Sequence, residues 1–283
     1  MLYRPLFWTR EYANLHCDSH KILNFGSGVI AVSSDDSTII KSPGRATFGG
    51  IWSDYPLTEN EFSQFLAQFR GNFPNSNQLQ ISLPPEYFWP EIFLPQSYLL
   101  SQINSHSYFE VNFHIDINSK IDISKGNRKK QRQFIESKGD VRIASKSSWR
   151  EIYNLLSENR LRRGVNISMP WEIFEKSLLK LPKSFQLWQA SVDKNIIGAA
   201  LTVKIDEKTL YVLFWGDSLQ GRQMSVVASI SKHLIEYCKQ NFINILDLGI
   251  SSVNGEIDEN LARFKRNLGA IESKKHIYSV SLN

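Results

Sequence analysis

The chain has 283 residues, 42% of them hydrophobic and 22% charged, which excludes an intrinsically disordered protein and allows a substantial core. A formal net charge of +5 is too small to predict nucleic-acid binding, although it suits anionic partners such as nucleotides, coenzyme phosphates or phospholipid headgroups. Two widely separated cysteines, no signal peptide and no long apolar run favour a cytoplasmic protein with at most a peripheral membrane contact.

The N-terminal half predicts short strands around one helix. We expect strands near residues 21–25, 28–33, 37–41 and 79–83, and a helix near 59–69. Four prolines between residues 80 and 96 predict an irregular segment there, because proline removes a helical hydrogen bond and clashes with the preceding turn. A second polar and basic seam follows at 117–140.

The most regular strand of the sequence is expected from Tyr108 to Ile117. Its apolar positions are Phe109, Val111, Phe113, Ile115 and Ile117. The positions between them are Glu110, Asn112, His114 and Asp116. This alternation predicts a half-buried strand with one apolar face and one polar face.

The C-terminal half alternates helices and strands. Ser148 and Glu151 have the spacing of a capping box, which predicts a helix start, and a second helix is expected from Pro170 to about Leu181. Three strands follow, near 185–192, 196–205 and 209–215. A long amphipathic helix then begins near Ser225, followed by a strand near 243–248, a helix from about 257 that stops at Gly269, and a strand near 276–282.

This element order, together with several short stretches, resembles the Fem-like branch of the GNAT acyltransferase superfamily, the peptidoglycan-bridge aminoacyltransferases and their relatives. The stretches are SPGRATFGGIW from Ser42 to Trp52, SKGNRKKQRQF from Ser124 to Phe134, NRLRRGVNISM from Asn159 to Met169, and the run from Leu246 to Gly269. The resemblance implies an α/β fold with mixed sheets and two GNAT-like domains in tandem, with a cleft between them. A degenerate N-terminal lobe would occupy residues 1–117 and the acyltransferase lobe 118–283.

The resemblance also implies transfer of an acyl or aminoacyl group to an amine without a metal. The donor would be acyl-CoA, acyl carrier protein or aminoacyl-tRNA, and no coiled-coil arm for tRNA is visible, which favours acyl over aminoacyl transfer. The acceptor would be an anionic small-molecule or lipid-linked precursor of the cell envelope or of a polysaccharide; DNA is not expected as a partner. The alternative is an inactive GNAT-like module that binds an anionic glycan, nucleotide or RNA.

Three residues of the run from Leu246 to Gly269 are candidates for chemistry. The resemblance places Lys265 near the reaction centre, where an ammonium could stabilise an oxyanion or a donor phosphate; otherwise it is a solvated helix lysine. Asp247 is expected to orient or deprotonate the amine, or instead to bond amide groups of the Gly249–Ser252 loop. Glu259 is the other carboxylate within reach, or a charge that complements its helix dipole.

Candidate binding residues lie in four further places. Basic clusters supply Arg128 and Arg132, beside Lys129 and Lys130, and Arg163, beside Arg160 and Arg162; their alternative is a solvated helix face. Tyr211 and Trp215 have even spacing on one strand, which predicts a shared face lining either the acyl site or the core. Phe48 and Gly49 belong to a turn where the main chain could approach a ligand, or a neighbouring strand.

A phosphate loop is expected between the strand ending near 215 and the long helix. Its residues are Gly221, Arg222, Gln223 and Ser225, which would bind acyl-CoA through amide groups at the helix start. The loop keeps only one of the glycines that the GNAT pattern carries, which weakens the prediction of a standard acyl-CoA site. His16, Cys17 and His20 have one suggestive spacing, but without a second ligand pair they do not predict a metal site.

Overall fold

The computed structural model describes residues 4–15, 20–26, 28–34, 38–103 and 105–282, and gives no side-chain placement for His20 and Ser34. His16 and Cys17 therefore lie outside the described residues. The architecture is mixed α/β. The helices are α1 Arg10–Ala13, α2 Glu59–Asn72, α3 Pro90–Gln102, α4 Lys125–Glu136, α5 Trp149–Leu161, α6 Trp171–Lys180, α7 Leu219–Gln223, α8 Val226–Gln240 and α9 Glu259–Asn267, with short 3₁₀ turns at Leu6–Trp8 and Lys146–Ser148.

The strands alternate with these helices along most of the chain. They are β1 His20–Phe25, β2 Gly28–Ser34, β3 Ile39–Ser42, β4 Ile51–Ser53, β5 Gln78–Pro85, β6 Ser105–Asp116, β7 Asp140–Ile143, β8 Phe185–Val192, β9 Asn195–Lys204, β10 Thr209–Asp217, β11 Ile245–Ile250, β12 Ser252–Val253, β13 Glu256–Ile257 and β14 Ile271–Ser281. Both parallel and antiparallel pairs occur, as the resemblance implies.

The chain divides into two compact units. The first comprises Met1–Asn112, Ile250–Asp258 and Glu272–Asn283, and the second Phe113–Gly249 and Glu259–Ile271. The proposed domain boundary at 117/118 stays a prediction.

In the first unit the strand order is β1, β2, β3, β5, β14 and the first part of β6. Its β3 and β5 run parallel, whereas β1, β2 and β3 are joined by antiparallel pairs. An aromatic core of Phe7, Trp8, Phe48 and Phe88 packs beside the sheet. The hairpin of β12 and β13 turns at Asn254 and Gly255, which both have positive φ.

In the second unit the strand order is the last part of β6, then β11, β10, β9, β8 and β7. Strands β7, β8, β9 and β10 form an antiparallel meander, and β10 is parallel to β11. Helix α5 packs on β9 and β10 on one face of this meander. Gly216 allows the close approach, since a Cβ there would lie 2.9 Å from Asn159 of α5. Helix α8 covers the other face, where a Cβ at Gly198 would meet Val226 at 2.5 Å.

Three local expectations are wrong. The proline-rich segment contains α3, which begins at Pro90 and tolerates Pro95 in its second turn. Proline at the first helical position loses no bond that the helix would otherwise make. Helix α5 forms as predicted, but Ser148 has helical φ/ψ and makes no side-chain cap, because a 3₁₀ turn precedes it.

The third error concerns β6, which is not a strand with one buried and one exposed face. Phe109 is 40% exposed, whereas Glu110 is 5% exposed and Asn112, Phe113 and His114 are all buried. Glu110 accepts a short hydrogen bond from the Ser252 hydroxyl, which compensates for the burial of its carboxylate. The alternating polarity of β6 therefore indicates a polar face that is hydrogen-bonded inside the protein, not a face exposed to solvent.

Candidate active site

The parallel strands β10 and β11 separate in the middle of the second unit. Their register pairs Thr209 with Ile245, Leu210 with Leu246 and Tyr211 with Asp247, whereas β10 stays paired with β9 as far as Asp217. Beyond Tyr211, β10 is no longer paired with β11, so this edge of β10 is open. Backbone amides on such an edge can donate to a ligand carbonyl.

A β-bulge in β10 lies directly beyond this point. Val212 pairs with Thr202 and Phe214 with Leu201, so Leu213 is an extra residue on β10. One inserted residue inverts the side-chain alternation that follows it. Tyr211 and Trp215 consequently lie on opposite faces, and the prediction from their even spacing that they share one is wrong.

The contacts of the two aromatic residues agree with this register. Tyr211 lies on the α5 side, where its electrostatic interaction with Arg160 opposes the lowering of the Arg160 pKa by burial and by Arg163. Trp215 lies on the other side, with its ring 5.9 Å from that of Phe264 on α9, edge to face. Aromatic side chains therefore flank the parted strands on both faces.

Lys265 is held at the end of β11. Its side chain is 1% exposed, and Nζ donates to the carbonyl oxygen of Gly249 over 2.8 Å. Nζ also lies 5.6 Å from the centre of the Phe113 ring, within the range of a cation–π interaction. The alternative of a solvated helix lysine is thus wrong, although a part in catalysis stays a prediction.

Asp247 and Gly249 form a tight turn at the same strand end. Asp247 is fully buried, and its Oδ1 accepts the amide of Gly249 at 2.6 Å, which is the backbone-bonding role considered from the sequence. Gly249 has φ +76°, and a Cβ added there would lie 3.0 Å from the Tyr211 hydroxyl. Glycine is therefore required for the conformation, and it brings the hydroxyl of Tyr211 against the end of β11.

Glu259 lies away from this buried group. It is the first residue of α9, its side chain is 70% exposed, and it pairs with Arg266 at 3.5 Å. That position fits a carboxylate that complements the helix dipole. A direct part of Glu259 in chemistry stays a prediction.

The basic cluster of α4 is mostly exposed. Arg128 and Arg132 are exposed on this helix, and Arg128 lies 4.0 Å from the exposed carboxylate of Asp122. Lys130 and Gln131 hold α4 against α8: the Lys130 ammonium donates to Ser225 Oγ at 2.7 Å, and the Gln131 amide to the Ala228 carbonyl at 2.9 Å. Binding of an anion by Arg128 or Arg132 stays a prediction.

The expected phosphate loop forms the short helix α7. The amide of Gly221 donates to Ser218 Oγ at 3.1 Å, and those of Arg222, Met224 and Ser225 donate to carbonyls of the same turn. A Cβ at Gly221 would lie 2.0 Å from the carbonyl oxygen of Ile197, so packing against β9 explains this glycine. These amides already have acceptors, and cofactor binding by Gly221, Arg222, Gln223 and Ser225 stays a prediction.

The sequence predicts only part of an arginine cluster that surrounds Asp217. Asn159 of α5 donates to the Asp217 carboxylate at 2.7 Å and to its carbonyl at 3.0 Å. Arg162 donates to the same carbonyl, and Arg162 and Arg222 each approach Oδ1 at 3.9 Å. Burial raises the pKa of Asp217, while Arg222, Arg163 and Arg162 lower it. Asp217 itself had no spacing signal, because its partners come from another helix.

Phe48 and Gly49 belong to the core of the first unit. Phe48 is fully buried against Trp8 and Phe88, and Gly49 donates to the Ser82 carbonyl at 2.8 Å, which is the neighbouring-strand role. An open cavity of about 480 Å³ in this unit is lined by Thr38, Asn77 and His106 and contains none of the predicted site residues. We therefore do not take that cavity as the site.

The described residues contain no group of three or more His, Cys, Asp or Glu side chains placed to bind a metal. Within that same part of the chain, no helix has the length and apolar run that crossing a bilayer requires.

Comparison with solved structures identifies the fold. FemX superposes with a TM-score of 0.72 at 11% identity, covering 96% of this chain and 91% of FemX. The C-terminal domain of a putative lysylphosphatidylglycerol synthetase from Agrobacterium fabrum gives 0.64 at 10% identity, over 97% and 88%. A tandem GNAT protein from the clavulanic acid biosynthesis pathway gives 0.55 at 8% identity, over 94% and 84%. No protein-family model and no curated protein sequence matches the chain.

These likenesses, with the parted parallel strands and the bulge, define a GNAT-like fold. More narrowly, the chain has the Fem-like form of that fold, as its sequence resemblance implies. At these identities the likeness establishes the fold and leaves the substrate open.

Proposed function

We propose that this protein is an N-acyltransferase that moves an acyl or aminoacyl group from an activated donor to an amine of a cell-envelope or polysaccharide precursor. The observation that carries the proposal is the opening between β10 and β11 beyond Tyr211 and Asp247. An acyl group in this opening would place its carbonyl oxygen against the edge amides of β10. Those amides are fixed by the sheet, so they would stabilise negative charge with little reorganisation.

The reaction that fits this arrangement is direct attack by the amine. The amine nitrogen forms a bond to the acyl carbon, and negative charge develops on the carbonyl oxygen facing β10. The carbon–sulfur or carbon–oxygen bond then breaks, the amine loses one proton, and the leaving group takes one up. Lys265 would act on this site by fixing the Gly249 carbonyl and adding positive charge at the end of β11.

Acyl-CoA, acyl carrier protein and aminoacyl-tRNA are the donors that we consider, and we favour acyl over aminoacyl transfer. The occupied amides of α7 argue against a standard phosphate cradle, so arginine side chains would have to replace it for a coenzyme. The tandem GNAT protein is described in a form without AcCoA, which makes an acyl-CoA the first donor to test. The Agrobacterium fabrum protein is named a putative lysylphosphatidylglycerol synthetase, so we also include an aminoacyl donor among those to be tested.

We further propose that the fold is a tandem repeat of two GNAT-like domains. The series β9, β10, α8, β11, α9 and β14 in the second half has a counterpart in β2, β3, α2, β5, α3 and β6. In both series the first two strands pair antiparallel, and the second pairs parallel with the strand after the helix. This shared order supports duplication even though no sequence repeat is visible.

The test is product formation across a donor and acceptor panel. Acetyl-CoA, longer acyl-CoAs, acyl carrier protein and aminoacyl-tRNA would each be incubated with amino sugars, nucleotide-linked amino sugars and lipid-linked amines, with the amide product read by mass spectrometry. Lys265→Met should lower product formation by about 100-fold, the size of an electrostatic contribution to a developing oxyanion. Lys239→Met, on the exposed part of α8, is the matched control and should leave it unchanged.

A second candidate function has specific support. The amides of the α7 turn are already bonded, and the arginines of α4 are exposed, which suits an inactive GNAT-like module that binds an anionic glycan, nucleotide or RNA. No product from any donor, combined with submicromolar binding of one of these anions, would favour this module over the enzyme. A detected amide product that depends on Lys265 would exclude it.

A further inference from the structure

The ends of α5 and β10 form a basic patch that also exposes aliphatic side chains. Arg160 lies in the last turn of α5, Arg162 and Arg163 directly follow this helix, and Arg222 lies on α7 directly after β10. The two segments adjoin, because Arg162 and Arg222 each lie 3.9 Å from the same carboxylate oxygen of Asp217. The guanidinium groups of Arg162, Arg163 and Arg222 thus surround one buried aspartate. Within residues 158–163 and 217–223 the only other acid is the exposed Glu158.

Asp217 pairs with Arg162 and Arg222, but one carboxylate cannot neutralise both of them and Arg163 as well. Contacts of 3.9 Å are longer than the 2.7–2.9 Å of a charge-assisted hydrogen bond, so the guanidinium groups keep donors for another anion. The carboxylate is held mainly by Asn159, at 2.7 Å. The Arg222 side chain is 54% exposed and Arg163 is exposed, so both can reach a ligand in solvent.

Three aliphatic side chains protrude beside these arginines. Leu161 is 64% exposed, Val165 47% and Leu219 67%. Leu161 precedes Arg162 in sequence, the amide of Val165 bonds the Arg160 carbonyl at 3.2 Å, and Leu219 is the first residue of α7. Single exposed aliphatic side chains are ordinary, but three of them within the two segments that carry these arginines form a mixed apolar and cationic surface.

We propose that this patch docks the protein on an anionic lipid surface, with the arginines at the headgroup phosphates and the three aliphatic side chains at the interface. Charge complementarity selects this partner, because each arginine near an anionic bilayer adds attraction. The aliphatic side chains distinguish a bilayer from a soluble phosphate compound, which would satisfy the guanidinium groups and leave the apolar atoms in water. The inference does not depend on the proposed transfer reaction.

Vesicle sedimentation with the full chain tests the proposal. Vesicles of phosphatidylcholine with roughly one quarter phosphatidylglycerol should bind the protein, pure phosphatidylcholine should not, and binding should weaken as salt is raised. The double variant Arg163→Gln, Arg222→Gln should bind about 25-fold more weakly, at about fivefold per arginine. The control Arg128→Gln, Arg132→Gln removes the same charge from α4 and should change binding by less than about twofold.

The apolar contribution has its own arm. Leu161→Ser, Leu219→Ser should weaken vesicle binding about tenfold even at high salt, while its melting temperature stays near that of the parent because both side chains are exposed. Equal binding to both vesicle types, or equal losses for the patch variant and the α4 control, would overturn the proposal. No vesicle binding, with the patch variant instead abolishing a thermal shift by coenzyme A or inorganic phosphate, would reassign the patch to a soluble phosphate.

Discussion

Gly221 should be a packing residue rather than a phosphate-binding glycine, and adding one methyl group, as in Gly221→Ala, distinguishes the two roles. A Cβ at position 221 would lie 2.0 Å from the carbonyl oxygen of Ile197, which is main chain of β9 and cannot rotate away. The neighbouring strand would have to move by more than an ångström to reach ordinary contact. Overpacking of this kind costs about 3 kcal/mol.

Gly221→Ala should therefore lower the melting temperature by about 6–12 °C, taking roughly 2–4 °C per kcal/mol for a domain of this size. The assay is thermal unfolding followed by circular dichroism, with Gly126→Ala as the matched control. Gly126 lies in α4 with nothing within 4 Å of its added Cβ, so alanine there should stabilise the protein by about 0.5–1 kcal/mol. An unchanged melting temperature for Gly221→Ala, together with lost affinity for an acyl-CoA, would refute the packing account and restore the phosphate loop.

Three further predictions concern buried groups of the second unit. Lys265→Ala should lower the free energy of unfolding by about 2–4 kcal/mol because it leaves a cavity, whereas Lys265→Met should lower it by about 1–2 kcal/mol. Chemical denaturation measures both values, and equal losses would contradict burial of the whole side chain. Burial lowers the pKa of His114 to about 4, so the unfolded chain binds more protons than the folded one between pH 6.5 and 4. The free energy of unfolding should therefore fall by up to about 3 kcal/mol as pH drops through this window. His114→Gln should flatten that fall, and an unchanged pH dependence would show that His114 stays protonated in the fold. Gly249→Ala should destabilise by about 1–3 kcal/mol through its positive φ and the Tyr211 hydroxyl, and Gly249→Ala, Tyr211→Phe should recover part of that loss; no recovery would place the cost in the backbone alone.

The meander of the C-terminal half was predictable, and its site was predictable only in part. Strand β8 has its predicted bounds, Phe185–Val192, because the turn at Asp193 and Lys194 marks its end clearly. Lys265 was found through a resemblance, since neither spacing nor polarity indicates that a lysine between two arginines is buried. No glycine or proline in the sequence indicates the bulge at Leu213, so the prediction that Tyr211 and Trp215 share a face is wrong.

Tertiary partners explain the remaining differences between sequence and structure. The alternation of β6 alone predicts that Glu110 and His114 face solvent, whereas the neighbouring elements bury both. Asp217 has the same property, because Asn159 lies 58 residues away in sequence. Local periodicity carries no information about such distant hydrogen-bond partners.

The central claim is that an activated acyl donor binds where β10 and β11 part. Hydrogen–deuterium exchange of the full chain, with and without acetyl-CoA, a longer acyl-CoA, acyl carrier protein and aminoacyl-tRNA, tests it most directly. The account predicts that at least one donor slows exchange in the segments 212–217 and 245–249, because edge amides of β10 acquire an acceptor. Unchanged exchange in both segments with a donor that demonstrably binds the protein would contradict it.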